Sequence, residues 1–387
     1  MDYLDYYLLE QEFTEAERQV RDRVRAWVAA RVRPLIESHH RAGTFPRELV
    51  REMGELGVFA PHLSGYGCAG LSNVAYGLIM QELERGDSGI RSCASVQGSL
   101  AMYALHTWGT EEQKQRWLPP LARGEILGGF ALTERLHGSD PAGMETTARR
   151  DGDSIVLNGN KCWINNGSIT DVLVVWAKGE DGKVGGYLVE RDSPGRRAVD
   201  LEGKFSLRAS TTSELFFEDC RIPAGNALPG ARGMRAPLGC LSQARFGIAW
   251  GVIGAAQDCY ETALRYAQER VQFDRPIAGY QLVQEKLVWM VSEITKAQLL
   301  AMQLARLKDA GTVTPAQISL AKRNNVWMAL ECARLARAIL GGVGITDAHP
   351  VIRHMLNLET VYTYEGTHDI HTLIVGQDIT GLGAFAG

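Results

Sequence analysis

The spacing of apolar residues changes period twice along this chain. Up to about residue 128 it follows the helical repeat. Val20, Val24, Trp27, Val28, Val32 and Leu35 fall on one face, with charged residues between them left for water. Thr14-Glu15-Ala16-Glu17, just ahead of that run, is a capping-box pattern: hydroxyl and carboxylate can satisfy amides that a first helical turn leaves open. Pro46 opens another helical stretch through Leu56. Gly65-Tyr66-Gly67-Cys68-Ala69-Gly70 reads as a turn, since no strand precedes it as a dinucleotide-binding loop requires, and helical spacing resumes at Ser72.

From about Gly128 the runs become short and β-like. Ile155-Val156-Leu157 and Lys161-Cys162-Trp163-Ile164 flank Asn158-Gly159, which predicts a hairpin turning at that dipeptide. Val172 to Trp176, Gly186 to Val189 and Leu215 to Phe217 follow, punctuated by glycine and proline. They predict a mostly antiparallel β domain ending near residue 230. Helical spacing returns at about Gly239: Val283, Leu287, Met290, Val291 and Ile294 form one face. Thr314-Pro315-Ala316-Gln317 is a second helix start, with proline at the first helical position. That helix should run to about Leu340 and stop at Gly341-Gly342. The expectation is an α+β fold, mostly α: an N-terminal helical domain over residues 1–128, a central β-sheet domain over 129–238 and a C-terminal four-helix bundle over 239–387.

Composition narrows the partners. The 387 residues suffice for a sizeable core. Basic and acidic residues number 41 and 45, net −4, and no basic stripe marks a nucleic-acid partner. No apolar run spans a bilayer. The acidic start, Met1-Asp2-Tyr3-Leu4-Asp5, lacks the basic and apolar regions of a secretory leader and does not fit a transit peptide. The seven scattered cysteines include no C-x-x-C pair, as expected of reduced thiols in a cytoplasmic protein. His368 and His371 share a helix face without an evident third ligand, so no metal is expected.

Several segments carry chemistry-bearing residues. In Tyr364-Glu365-Gly366-Thr367-His368-Asp369 a single carboxylate stands between an aromatic hydroxyl and a glycine that permits close backbone approach. That arrangement suits removal of a proton from carbon beside a carbonyl; a solvated surface loop would read the same. Leu132-Thr133-Glu134 with Gly138-Ser139-Asp140 offers hydroxyls and a turn glycine for a polar ring edge or phosphate, or is an ordinary loop. Trp163-Ile164-Asn165-Asn166 places an aromatic and an amide where a flat cofactor could lie, or where a core tryptophan ends a strand. Arg270-Val271-Gln272-Phe273 either caps a helix or meets a phosphate, and Gly341-Gly342-Val343-Gly344 either ends a helix or lets a ligand approach. Arg91 and Ser95, four apart, share a helix face. They form a plausible carboxylate clamp, unless Arg91 is a structural partner of Glu84 or Asp87. Arg245, in an otherwise apolar helical stretch, should have a partner if buried.

Together these segments resemble the acyl-CoA dehydrogenase family, flavoproteins that desaturate acyl-CoA thioesters at Cα–Cβ. The resemblance spans essentially the whole chain and is strongest to the glutaryl-CoA dehydrogenases. It rests on Glu84-Arg85-Gly86-Asp87-Ser88-Gly89-Ile90-Arg91-Ser92, Gly203-Lys204-Phe205-Ser206-Leu207-Arg208-Ala209-Ser210, Ala244-Arg245-Phe246-Gly247-Ile248-Ala249-Trp250-Gly251 and Tyr364-Glu365-Gly366-Thr367-His368-Asp369-Ile370-His371.

The resemblance implies FAD. Leu132, Thr133, Gly138 and Ser139 would meet the flavin and its phosphates, and Trp163 and Asn165 would flank the isoalloxazine. Arg270, Gln272, Phe273, Gln281 and Gly342 would bind the adenine half of an FAD held by a neighbouring subunit of a homotetramer. Thr367 and Asp369 would touch FAD beside the base. It makes Glu365 the base that removes the α-proton while hydride passes to flavin N5. The Gly366 N–H and a flavin ribitol hydroxyl would polarise the thioester carbonyl. Arg91 and Ser95 would hold a distal carboxylate, with Glu84 and Tyr364 around that pocket; Ser139 and Arg245 complete the expected substrate contacts. It further implies oxidation of glutaryl-CoA, decarboxylation to crotonyl-CoA and electron transfer to an electron-transfer flavoprotein. Arg135 replaces the family's usual proline after Leu-Thr-Glu, Asn165 its usual threonine and Val343 its usual asparagine. These departures leave open another acidic acyl thioester, a non-decarboxylating enzyme or a non-catalytic binding protein.

Overall fold

The computed structural model describes residues 4–384. Met1, Asp2 and Tyr3 of the acidic start lie outside that range. α1 (Glu15–Trp27) begins with the capping box predicted at Thr14: the Thr14 hydroxyl accepts from Glu17 N, and Glu17 Oε2 accepts from Thr14 N. α2 (Arg33–Ala42) and α3 (Leu49–Glu55) follow, the latter shorter than the stretch predicted from Pro46. The glycine-rich turn is a minimal hairpin of β1 (Ser64–Gly65) and β2 (Cys68–Ala69). α4 (Asn73–Gly86) is capped by Ser72. Asp87 then caps α5 (Ser88–Ser95), accepting from Gly89 N at 2.6 Å. The chain runs on through π-helical Val96–Met102 into α6 (Tyr103–Trp108), and α7 (Glu111–Ala122) closes the block.

The middle of the chain is one sheet built from β3 (Gly128–Ala131), β4 (Thr147–Asp151), β5 (Ser154–Asn165), β6 (Val172–Lys178), β7 (Val184–Glu190), β8 (Arg196–Asp200), β9 (Thr212–Pro223) and β10 (Ala227–Arg232). The order is β10-β7-β6-β4-β5-β9-β8, with β3 parallel to β6 and nearly all other pairings antiparallel. Alternation sorts its side chains. Val172, Val174 and Trp176 join the core shared with the helices, whereas Leu173 and Val175 pack with Leu157, Leu215 and Phe217 on the other face.

The hairpin predicted at Asn158-Gly159 is not there. β5 runs straight through that dipeptide, and its register against β9 shifts between Leu157 and Gly159, making a bulge. The turn lies earlier, at Gly152-Asp153, between the paired residues Asp151 and Ser154. A side chain at Gly159 would sit 2.6 Å from Thr146 Oγ1, so this glycine serves close approach rather than reversal.

α8 (Arg235–Glu269) begins ahead of Gly239 and runs 35 residues. A short ladder of β11 (Val271–Gln272) and β12 (Arg275–Pro276) leads into α9 (Gln281–Asp309). α10 (Pro315–Leu340) opens with the predicted Thr314/Gln317 box and ends at Gly341. α11 (Val351–Thr363) and α12 (His368–Thr380) complete the chain, and α10 packs against α8, α9, α11 and α12. α4 also lies against α8 and α9, so one apolar core runs through both helical blocks. The approach of α4 to α8 is close enough that a Cβ at Gly251 would sit 2.2 Å from Glu84 Oε2. Among the described residues no helix is long and apolar enough to cross a membrane.

Candidate active site

The loop between α11 and α12 carries Glu365. Tyr364 ends α11 in an extended conformation; Glu365 and Gly366 then both take positive φ, 53° and 93°. For a glutamate that backbone costs of order 1–3 kcal/mol, and it persists only where surroundings over-determine it. Here they do. Arg245 Nε of α8 donates to Glu365 O at 2.8 Å. Lys322 Nζ of α10 donates to the carbonyls on either side, Tyr364 O at 3.0 Å and Gly366 O at 2.9 Å. Gly366 has no room for a side chain: its Cβ would lie 2.9 Å from His371 Nε2 and 3.2 Å from Arg245 Nη2.

α5 brings Arg91 to the same place. Arg91 and Glu84 are both fully buried, with Arg91 Nε 2.7 Å from Glu84 Oε2. Arg91 Nη2 donates to the Tyr364 hydroxyl, and the guanidinium carbon stands 5.7 Å from the Tyr364 ring centroid. The structural pairing with Glu84 is therefore real, but it does not use up the group. Arg91 Nη1, Ser95 Oγ and Glu365 Oε2 are all out of solvent with no hydrogen-bond partner. α5 is fixed relative to the Glu365 loop through its own cap: Asp87 Oδ2 accepts from Arg353 Nη1 at 2.6 Å and Asn357 Nδ2 at 2.9 Å, both on α11.

Burial raises the Glu365 pKa above the ordinary carboxylate value, with Arg91, Arg245 and Lys322 opposing the shift. Burial pulls the Lys322 ammonium down to about 7 despite the nearby Glu365 charge. Burial also works against the Arg91 charge, but Glu84 and Tyr364 overcome it and raise its pKa. Three basic side chains thus surround two carboxylates.

The other expected contacts fall into two sets. One adjoins this cluster. Asn165, at the end of β5, donates Nδ2 to Ser92 Oγ at 2.6 Å, beside Arg91, and its Oδ1 accepts from Ser210 Oγ at 3.2 Å. Trp163, two residues back, is 63 % exposed with φ 62°. Thr133 O accepts from Cys162 N at 2.8 Å, which ties the Leu132–Ser139 loop to the same strand. Thr367 caps α12, accepting from Ile370 N, and Asp369 is exposed on its first turn. Arg135 is engaged by Glu214 at 2.6 Å. Glu134 is a buried staple, bonded to Lys161 Nζ, Thr146 and the Glu145 amide.

The second set stands apart. Arg270 follows the last turn of α8, about 37 Å along that helix from Arg245 at 1.5 Å per residue. Gln272 and Phe273 lie in the hairpin beyond it, Gln281 opens α9, and Gly342 lies past the end of α10, about 30 Å from Lys322. Phe273 is 89 % exposed.

Lys322 did not stand out in the sequence. Its signal is a lysine on the apolar stripe of α10, in register with the buried Ile318, Asn325 and Ala329.

Comparison with known proteins gives the family. Sequence models of the acyl-CoA dehydrogenase N-terminal, middle and C-terminal domains match residues 14–125, 129–220 and 231–380. The chain belongs to the acyl-CoA dehydrogenase family. A glutaryl-CoA dehydrogenase from Mycobacterium smegmatis has a similar crystal structure, with TM-score 0.97 and 55 % identity over 99 % of both chains. Another glutaryl-CoA dehydrogenase structure from that organism, in complex with FADH2, gives TM-score 0.98 and 50 % identity, again over 99 % of both chains. The mitochondrial short-chain specific acyl-CoA dehydrogenase of Bos taurus is 35 % identical over 374 residues, 94 % of this chain and 90 % of that protein. Three successive acyl-CoA dehydrogenase domains thus account for the helical, β, helical order. The middle-domain match takes in the Leu132–Ser139 loop together with Trp163 and Asn165, and the C-terminal match takes in Arg245, Lys322 and Glu365.

Proposed function

We propose that this acyl-CoA dehydrogenase oxidises glutaryl-CoA at Cα–Cβ and decarboxylates the product to crotonyl-CoA and CO2. The observation that carries the reading is the trio of buried, unpartnered side-chain atoms: Arg91 Nη1, Ser95 Oγ and Glu365 Oε2. A buried donor without a partner costs roughly 1–3 kcal/mol, so Arg91 Nη1 favours a ligand that supplies an acceptor. A short saturated acyl chain supplies none at that end. The distal carboxylate of a glutaryl thioester does, and it adds one negative charge to a site with three basic groups and two acids.

The surroundings fit FAD. Trp163 and Phe273 stand exposed, and the space where a Cβ would extend from Gly138 or Gly342 is open to 4 Å, so ring and phosphate could approach the backbone there. Leu132, Thr133, Gly138, Ser139, Trp163, Asn165, Thr367 and Asp369 would hold the flavin half. Arg270, Gln272, Phe273, Gln281 and Gly342 would hold the adenine half of a cofactor bound in another copy. Bound FAD supplies the two-electron acceptor for the hydride leaving Cβ.

The chain's residues do the rest. Arg91 Nη1 and the Ser95 hydroxyl bind the distal carboxylate. Glu365, partly desolvated and therefore more basic than an exposed carboxylate, takes the α-proton. Among the described residues none accepts from the Gly366 N–H, which leaves it to donate to the thioester oxygen as charge develops there. The α,β-unsaturated product carries its carboxylate on the γ-carbon. Loss of CO2 leaves the electron pair in a dienolate delocalised into the thioester, and the proton taken by Glu365 returns to give crotonyl-CoA. Glu84 supports this decarboxylating version: by sharing Arg91 it limits how fully the substrate carboxylate is neutralised, which keeps CO2 a competent leaving group. An electron-transfer flavoprotein would collect the electrons.

Arg91→Gln tests the assignment by comparing two substrates in one variant, so that any loss of folded protein cancels. Relative to wild type, kcat/KM for glutaryl-CoA should fall about 100-fold more than for butyryl-CoA, since a charge-assisted pair is worth about 1.5–3 kcal/mol. Equal losses on both would contradict the clamp.

A further inference from the structure

The reaction just described does not use Lys322, yet this lysine is only 1 % exposed and its ammonium lies against the Glu365 loop. A buried cation is retained only where partners offset its lost hydration. The partners it has are two main-chain carbonyls, those of Tyr364 and Gly366, and they bracket Glu365. The carbonyl between them goes to Arg245. Three consecutive carbonyls are thus drawn toward two cations from two helices, at the point where a glutamate holds left-handed φ. A compact ammonium with three rotatable donors can bridge carbonyls two residues apart. The planar fork of arginine matches a carboxylate instead.

We propose that Lys322 is the positioning residue of the base: by binding the carbonyls on either side of Glu365 it holds that residue in its left-handed conformation and so aims the carboxylate. The proposal rests on the reading of Glu365 as the base. The groups facing the ammonium are Glu365 in the loop, Arg245 on α8, Arg91 on α5, and His368 and His371 on α12. Burial lowers the pKa of both histidines, His371 to about 2, so below about pH 7, where its amine is protonated, it is Lys322 that adds its positive charge to those of Arg91 and Arg245 beside Glu365.

The test uses flavin-loaded Lys322→Met and Lys322→Arg enzymes, with Glu365→Gln in parallel and both glutaryl-CoA and butyryl-CoA as substrates. In Lys322→Met, kcat should fall about 100-fold, the cost of misplacing a catalytic group by about 1 Å, while KM stays within about threefold. The acidic limb of its pH profile should move to higher pH, because a cation has left the surroundings of the carboxylate. Its crystal structure should show Glu365 outside the left-handed region. Lys322→Arg should restore the acidic limb but not kcat. A Lys322→Met enzyme with wild-type kcat and an unmoved limb overturns the proposal, as does a fall in melting temperature with kcat per folded enzyme intact. Should the methionine variant fail to fold, a wild-type kcat in Lys322→Arg overturns it instead. If Glu365→Gln stays active, the base assignment itself falls. If only butyryl-CoA turns over, the substrate reading falls while the Lys322 comparison is still read on butyryl-CoA.

Discussion

At the scale of single residues, the site combines two forces that pull Glu365 in opposite directions. Burial disfavours its charge, and three nearby cations favour it, with burial the stronger. A base is active only when ionised. Raising its pKa therefore carries the loss of activity on acidification to higher pH than an exposed glutamate would give. If Glu365 is the base, the acidic limb of kcat/KM, which reports the free enzyme, should have its midpoint above 4.5, the ordinary glutamate value, and a pH–rate profile of the flavin-loaded enzyme measures it. Much of this site was legible. Glu365, Arg91 and Ser95 read equally well as a bland loop and a structural helix by themselves, and they stood out through the longer segments that resemble the family. For Lys322 only its place on the apolar stripe of α10 could have been read; its partners are carbonyls, and main-chain acceptors leave no mark in a sequence.

At the scale of elements, what matters is how α5 and the base loop are held in register. Asp87 does this by capping α5 and receiving Arg353 and Asn357 from α11, the helix that ends at Tyr364. Asp87→Ala removes both the cap and the carboxylate partner of a buried arginine, and should cost about 3–5 kcal/mol. Denaturant unfolding of the variant against wild type reads that loss. The helix starts at Thr14 and Thr314 were legible, since their capping boxes depend on contacts within one turn. The flanking runs are strand as expected, both within β5, but the hairpin reading failed at Asn158-Gly159 for a complementary reason. That dipeptide fits a turn equally well, and the contact that decides, Thr146 against Gly159, comes from a residue across the sheet. The start of α8 at Arg235 was misjudged for want of a cap signal: Met234 makes no side-chain cap.

At the scale of the whole molecule, the residues proposed to hold FAD divide between two places on the chain. Arg245 lies within α8 and Arg270 just past its end, so on the proposed reading the Glu365 cluster and the Arg270–Phe273 hairpin serve different cofactors. An assembly of copies would complete each site, as expected of a homotetramer. Copies carrying Arg270→Ala and Phe273→Ala should bind FAD poorly, and copies carrying Glu365→Gln should bind it without turnover. Refolded together, they should form hybrids in which an intact base meets an intact hairpin, and activity should reappear; a mixture that stays inactive would mean each chain serves itself. The central claim, that the buried Arg91–Ser95 pair selects a dicarboxyl-derived thioester whose α-proton Glu365 removes as FAD takes the hydride, is tested most directly by anaerobic mixing of the purified, flavin-loaded protein with glutaryl-CoA. The flavin absorbance should bleach and the recovered thioester should be crotonyl-CoA. An unbleached flavin that butyryl-CoA nonetheless reduces would contradict it.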